Sequence, residues 1–219
     1  EPLEIEYDFT KPGITLEEVQ EMNGNQAKIE YLEGDIVPYI INGVITNQKI
    51  SSIEEALSVL YEYRDIFKIK EFEYIGVINE EEDGIYYSFF QHKNGVRVKD
   101  GNFSVVTTMA GEVKRIGGRY LNVSYVNTTP VLSYKECWKI NKDFFKGIRK
   151  EKVKLLICKF KGSTELCWQY DVMDKHGRNH QTVYVSALDA DIVWISAGGN
   201  SWDFRRCTAE KAGGKAELV

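Results

Sequence analysis

His176 and His180 are the one pair of histidines in this chain at the spacing of a known metal motif. In the zincin motif, two histidines four residues apart bind zinc from one helical turn, and a glutamate next to the first activates water. Here Gly177 takes the place of that glutamate, and a glycine between two strand patterns indicates a turn. The third histidine, His92, lies far away in the sequence. We therefore predict no zinc site.

The four cysteines offer a second kind of chemistry, because they could form disulfides or bind a metal. A hairpin turn at residues 161–164 would place Phe160 opposite Glu165 and Cys158 opposite Cys167. This register makes Cys158–Cys167 the candidate disulfide, which needs Cα atoms about 5.5 Å apart. The alternative, which we favour, is two reduced thiols packed against the sheet, since cysteine behaves as a small hydrophobic residue.

Other catalytic patterns are missing from the sequence. It contains neither the Gly-x-Ser-x-Gly motif of serine hydrolases nor a phosphate-binding glycine motif. The acidic run Glu80 to Asp83 lacks the alternating ligands of a calcium loop, so we interpret it as a solvated strand connection. No combination of nucleophile, base and orienting residue emerges. We therefore predict a protein that is not an enzyme and binds no cofactor.

Charge is distributed unevenly along the chain. Residues 1–130 hold 12 Lys and Arg against 22 Asp and Glu, a balance of −10, whereas residues 131–219 hold 16 against 11, a balance of +5. Two modules that attract each other or meet different partners would explain the split, and so would chance on solvated surfaces. The net charge of −5 argues against nonspecific binding to nucleic acid.

Two features of the sequence bear on the cellular location of the protein. No window approaches 18 consecutive apolar residues, so no membrane-spanning segment is predicted. The chain starts at Glu1 rather than at methionine, as it would after removal of an export signal. We therefore expect an extracellular or cell-surface protein.

Two helix starts and one hairpin turn stand out among the elements. Ser52-Ile53-Glu54-Glu55 and Ser133-Tyr134-Lys135-Glu136 have the spacing of a capping box, in which serine and glutamate satisfy each other's main-chain amides. Between the two helices, short alternating segments predict a β-meander. Asn94-Gly95 is typical of a two-residue hairpin turn. Asp100-Gly101 is interpreted as a further break between strands.

These elements divide the chain into two modules. We predict a polar leader over residues 1–26, a first module over 27–127, a second over 131–197, and a flexible tail over 198–219. The boundary between the modules falls in a polar stretch that contains Pro130. The predicted fold class is α+β, with each module an α-helix packed on a short antiparallel β-sheet.

The first module resembles the fungalysin/thermolysin propeptide (FTP) domain. The resemblance lies in an aromatic strand, a glutamine and a Gly-Val-x-Val hairpin: Tyr86-Tyr87-Ser88-Phe89-Phe90-Gln91-His92-Lys93-Asn94-Gly95-Val96-Arg97-Val98. Its flanks, Ile41-Asn42-Gly43-Val44 and Gly111 to Tyr120, agree. Arg97 stands where proline is common in the family.

The second module is similar to a PepSY domain. Leu166 to Val172 is like the central strand of that domain, and Val183 to Val193 is like its closing strand-turn-strand. Ser186 and Ala190 stand where the family commonly has Asp and Gly. In this order the two domains form the pro-region of thermolysin-like secreted metallopeptidases, which assists folding of the peptidase and blocks its active site. No peptidase follows in this sequence.

The resemblance implies an inhibitor or intramolecular chaperone of a thermolysin-like metallopeptidase, in cis or in trans. By analogy, the segment that would enter the protease cleft is Ser196, Ala197, Gly198, Gly199, Asn200, Ser201 and Trp202. Trp202 would anchor it; alternatively, Trp202 folds back on the sheet. The rival function is a secreted or surface-attached binding and regulatory module without a protease partner.

Overall fold

The chain forms two units in a computed structural model, Glu1–Asn122 and Val123–Val219. The model describes residues 2–24, 26–43, 49–70, 73–160, 163–197 and 200–203. The units divide just before the polar stretch in which the sequence placed the boundary. Secondary structure is mixed, mostly antiparallel sheet with few helices. The predicted tail, apart from residues 200–203 and including Cys207, lies outside the described residues.

The described residues of unit 1 form three helices and six strands. The helices are α1 (Leu16–Met22), α2 (Ile53–Glu62) and α3 (Arg64–Phe67). The strands are β1 (Lys28–Tyr31), β2 (Pro38–Asn42), β3 (Glu73–Glu81), β4 (Gly84–Lys93), β5 (Val96–Thr107) and β6 (Val113–Arg119). Their order across the unit is β1-β2-β6-β5-β4-β3, and every pair is antiparallel.

Apolar residues within the predicted polar leader pack against the core of unit 1. Leu3, Ile5, Tyr7 and Phe9 alternate with polar residues and pack against the core cluster that holds α2 and the strands. The Leu3 amide donates to the Tyr74 carbonyl at 2.8 Å. Alternation at period two is the pattern of an extended segment with one buried face. We described this stretch by its overall polar composition, which does not reveal the alternation.

A buried arginine holds this N-terminal segment in place. Arg64 is 7% exposed and donates to the Tyr7 hydroxyl at 3.0 Å, the Tyr61 carbonyl at 2.9 Å and the Lys11 carbonyl. Its guanidinium also lies over the Phe9 ring, 5.8 Å from the centroid. A buried cation needs such acceptors because burial removes its hydration.

The β4–β5 hairpin turns at Asn94-Gly95, as predicted. Both residues have positive φ, +48° and +74°, as a type I′ turn requires. The predicted break at Asp100-Gly101 was wrong, since β5 runs through it. Asp100 has φ +64°, and the register with β4 shifts there, which is a β-bulge.

In unit 2, the part of the chain that the structure describes forms one helix and five strands. They are α4 (Tyr134–Ile140), β7 (Ile148–Phe160), β8 (Ser163–Asp174), β9 (Gln181–Ser186), β10 (Ile192–Ala197) and β11 (Asn200–Asp203). The strand order is β7-β8-β9-β10-β11, again antiparallel throughout.

Helix α4 shares a core with the middle of this sheet. Cys137 and the partly buried Trp138 belong to one cluster with Tyr170, Val183 and Ile195. The Tyr170 hydroxyl donates to the Tyr134 carbonyl at 2.6 Å, which ties the helix start to β8. No helix in the described part of the chain is long and apolar enough to cross a membrane.

Candidate partner-binding site

The predicted contact segment, residues 196–202, lies in the last hairpin of unit 2. Ser196 pairs with Ser201, Ala197 with Asn200, and Ile195 with Trp202. Gly198 and Gly199 lie outside the described residues. Its described residues extend the sheet by one strand.

Buried residues of β10 anchor the base of this hairpin. Val193 is 1% exposed and Ile195 is 4% exposed. The Trp194 ring stacks on Phe160, with centroids 5.3 Å apart and planes inclined by 14°. Strand β11 comes last in the strand order, and β10 is its one partner among the described strands. One edge of β11 is bonded to β10, and no described strand pairs with its other edge.

A polar groove of about 470 Å³ begins at this hairpin. Four of its lining residues are cross-strand neighbours in a row across four strands: Lys152, Asp171, Thr182 and Ser196. The Asp171 carboxylate accepts from the Thr182 hydroxyl at 3.1 Å. Such a row offers both donors and acceptors to polar groups of a partner.

Sequence reasoning missed this groove because the row depends on strand register. Lys152 comes next to a register shift in β7, between Lys150 and Lys152. A bulge of this kind changes the alternation of faces, and no local residue pattern had predicted it.

The two residues that depart from the PepSY pattern, Ser186 and Ala190, flank the turn after β9. Ala190 has φ +64°, a left-handed conformation that glycine adopts without strain. The Ser186 hydroxyl oxygen accepts from the Leu188 amide at 3.3 Å, which is a bond that an aspartate could accept in the same turn. Asn141 supports the turn by donating to the Ala190 carbonyl at 2.8 Å. Serine and alanine thus occupy positions whose geometry suits Asp and Gly.

The glutamine of the FTP-like motif has a structural role in unit 1. Gln91 is fully buried, and its side-chain amide donates to the Leu121 carbonyl at 2.7 Å. Its side-chain oxygen accepts from the Leu121 amide at 3.1 Å. Arg97, at the family's proline position, lies over the Phe90 ring, 4.3 Å from the centroid. These contacts hold the β4–β5 hairpin against the rest of unit 1.

The candidate disulfide Cys158–Cys167 is not formed, and its predicted register was wrong. Cys158 pairs with Glu165 and Leu156 with Cys167, because the strands resume at Ser163, directly opposite Phe160. The connection is therefore two residues shorter than predicted; its residues 161 and 162 lie outside the described part. Neither cysteine forms a disulfide, and both side chains are fully buried, as is that of Cys137.

Alkylation of the folded protein at about pH 8 is expected to label Cys137, Cys158 and Cys167 slowly. All three are buried, and burial raises the pKa of the Cys137 thiol to about 11, so little reactive thiolate forms there. After unfolding without reductant, all three should react quickly. Timed iodoacetamide labelling followed by peptide mass spectrometry measures this. A Cys158–Cys167 cross-link that survives unfolding would overturn the assignment.

His176 and His180 lie in an exposed turn rather than on a helix. Asp174 organises this turn by accepting from the amides of Arg178 at 2.9 Å and His176 at 2.8 Å. The Arg178 amide is the largest cause that lowers the pKa of Asp174. Among the described residues, no group of three or more His, Cys, Asp or Glu side chains is placed to bind a metal.

The acidic run Glu80–Asp83 is a tight strand connection. Glu81 ends β3 opposite Gly84, which starts β4. Asp83 accepts from Lys114 at 3.0 Å and from the Tyr86 hydroxyl at 3.0 Å, and the bond from Lys114 is the largest cause that lowers the pKa of Asp83. The Asp83 carboxylate therefore accepts hydrogen bonds from two side chains of unit 1.

Comparisons with known proteins assign no family. No family model matches the chain, and no curated protein matches it. Among solved structures, the Bacillus megaterium YpeB C-terminal domain aligns with 85% of this chain and 99% of its own length, at 9% identity and a TM-score of 0.39. A likeness at this level carries no argument about function, so the proposals below rest on the residues of this chain.

Proposed function

We propose that this chain is a non-catalytic, propeptide-like protein that inhibits a thermolysin-like secreted metallopeptidase, assists its folding, or does both. It would act outside the cell or at its surface. The FTP-like and PepSY-like motifs in their family order support this proposal. Support also comes from Ala190, whose positive φ matches the glycine that the PepSY family commonly has there.

The observation that carries the proposal is the hairpin of β10 and β11. Substrates of many proteases bind in an extended conformation and pair their backbone with an edge of the enzyme. Strand β11 is already extended, and its second edge, which no described strand occupies, could pair in this way. Its other edge is bonded to β10, so cleavage would require the hairpin to open first. A segment that binds like a substrate but resists cleavage acts as an inhibitor.

The same surface would explain assisted folding. A template that binds the native face of an enzyme stabilises the folded state by mass action, and the bound template also blocks that face. Inhibition and folding assistance would then depend on the same residues.

Inhibition is expected to disappear when residues 198–219 are deleted, since this removes β11 but leaves β10. The matched control lacks only residues 204–219 and keeps β11. Both proteins and the full chain are titrated into thermolysin-like peptidases from the source organism, with hydrolysis of a quenched peptide as the readout. Circular dichroism and thermal melting establish that each variant is folded.

The expected result is stoichiometric, slowly reversed inhibition by the full chain and by the control, with a loss of about a hundredfold or more for the shorter protein. Equal inhibition by all three would exclude the hairpin as the contact. No inhibition by the folded full chain would exclude the protease role and favour the binding module. The next experiment would then be a pull-down from the cell envelope.

A further inference from the structure

A second surface of unit 2 has the features of a peptide-binding pocket. Among the described residues, three of the most exposed large hydrophobic side chains lie around one cavity of about 230 Å³: Tyr125 at 69%, Val131 at 66% and Leu188 at 65%. Exposed apolar side chains are usually scattered, and a cluster around a cavity indicates a binding surface. Leu166 and Ala187 belong to its wall.

Thr164, near the start of β8, borders the same cavity. The Leu166 carbonyl accepts from the Ala187 amide at 2.9 Å, so Leu166 directs its main-chain groups toward the β9 side of β8. Main-chain groups alternate sides along a strand, so those of Thr164 point to the same side. Strand β9 ends at Ser186, and Thr164 lies beyond its reach. No partner for these Thr164 groups is found in the described part of the chain.

We propose that this pocket binds an extended polypeptide segment that adds to the Thr164 edge of β8 and inserts one large apolar side chain beside a lysine or arginine. The surface is distinct from the β10–β11 hairpin, so the inference does not rest on the protease role. Strand addition supplies affinity through main-chain hydrogen bonds, and the pocket supplies specificity through the side chain.

The size of the cavity favours a side chain over a free small molecule. Pockets for drug-sized ligands have volumes of about 300–1,000 Å³, and this one is smaller. A pocket for one anchor residue, surrounded by apolar contacts that exclude water, is the usual centre of a protein interface.

Negative charge near the pocket favours a particular type of residue next to the apolar side chain that would be inserted. Glu165 is the one charged residue among the described lining residues, and Asp189 follows Leu188 in the adjoining turn. Two carboxylates next to an apolar pocket favour a cationic residue in the bound segment.

A labelled peptide tests the proposal on the full chain. The probe is the fluorescein-labelled heptapeptide Ser-Thr-Lys-Phe-Thr-Val-Ser, and binding is measured by fluorescence anisotropy. Leu188→Asp is expected to weaken binding by about tenfold or more, because it places a charge at the apolar rim. The matched control is Ile140→Asp, a side chain that is 60% exposed in the same unit but does not line the pocket.

Analogues of the peptide separate the parts of the proposal. Alanine in place of the phenylalanine should weaken binding about tenfold, and glutamate in place of the lysine should weaken it several-fold in low salt. In an extended peptide, every second main-chain nitrogen faces β8 and the others face away from it. Methylation of the nitrogens that face β8 should abolish binding, whereas methylation of the others should leave binding intact.

Two results together would establish the site. Leu188→Asp would lose binding while Ile140→Asp keeps it, and only one of the two methylation patterns would abolish binding. Absence of binding at millimolar peptide would overturn the proposal. Equal binding by both protein variants, or equal effects of the two methylation patterns, would overturn it as well.

Discussion

Gly118→Ala is expected to lower the free energy of unfolding by about 4 kcal/mol or more, which is exceptional for the addition of one methyl group. Gly118 has φ +144°, a conformation that side chains rarely adopt. A Cβ at this position would overlap the Asn102 carbonyl oxygen and lie 2.6 Å from the Cα of Phe103. Both are main-chain atoms of β5, so relief requires separating β5 from β6, where Phe103 pairs with Gly118.

Gly95→Ala is the matched control for backbone strain without overlap. Gly95 also has positive φ, +74°, but a Cβ there would meet no atom within 4 Å. Its cost should be about 1 kcal/mol, the ordinary penalty for a left-handed alanine. Urea unfolding followed by circular dichroism measures both variants. Equal losses for the two would mean that β5 and β6 do not approach each other as closely as described.

Gln91→Leu is expected to destabilise the protein by about 3 kcal/mol. The side chain of Gln91 satisfies both main-chain groups of Leu121, and each would be left without its partner. An unsatisfied buried polar group costs about 1–3 kcal/mol. The loss should be seen as a lower midpoint in urea with an unchanged slope.

Gln91→Glu tests the same bonds through pH. The new carboxyl would be buried and would face the Leu121 carbonyl oxygen. Burial disfavours the charged carboxylate, and the carbonyl can accept a hydrogen bond only from the protonated carboxyl, so both favour the protonated form. Its pKa would be raised in the folded state, so its stabilising contribution is complete below the unfolded pKa of about 4.3 and is lost as pH rises through the folded pKa. The variant should approach the parent protein in stability at low pH and fall below it at neutral pH. Parallel pH curves for the two proteins would refute the assigned hydrogen bonds.

Elements that depend on neighbours in the sequence were predicted correctly. The capping boxes of α2 and α4 form as expected, with Ser52 accepting from Glu55 and Ser133 from Glu136. The Asn94-Gly95 turn has the predicted positive φ values. These features depend on residues at most three positions apart, so local spacing contains the information they need.

Predictions that required register were less successful. The β7–β8 connection is two residues shorter than predicted, and this places Cys158 opposite Glu165 instead of Cys167. Gly101, which would ordinarily end a strand, lies inside β5, because the irregularity around Asp100 accommodates three extra residues of β5 against β4. Register is set by packing over a whole face, and short patterns of residue types do not record it.

The sequence by itself determined the helix starts and the hairpin turn, because both follow from local backbone preferences. Only the tertiary structure decided which distant groups meet: Gln91 with Leu121, Arg64 with Tyr7, and Thr164 with the cavity beneath Leu188. The first two of these contacts are hydrogen bonds between residues 30 and 57 positions apart. Burial and strand pairing select such partners from many that the sequence allows, and this is why the candidate binding surfaces became visible only in the folded chain.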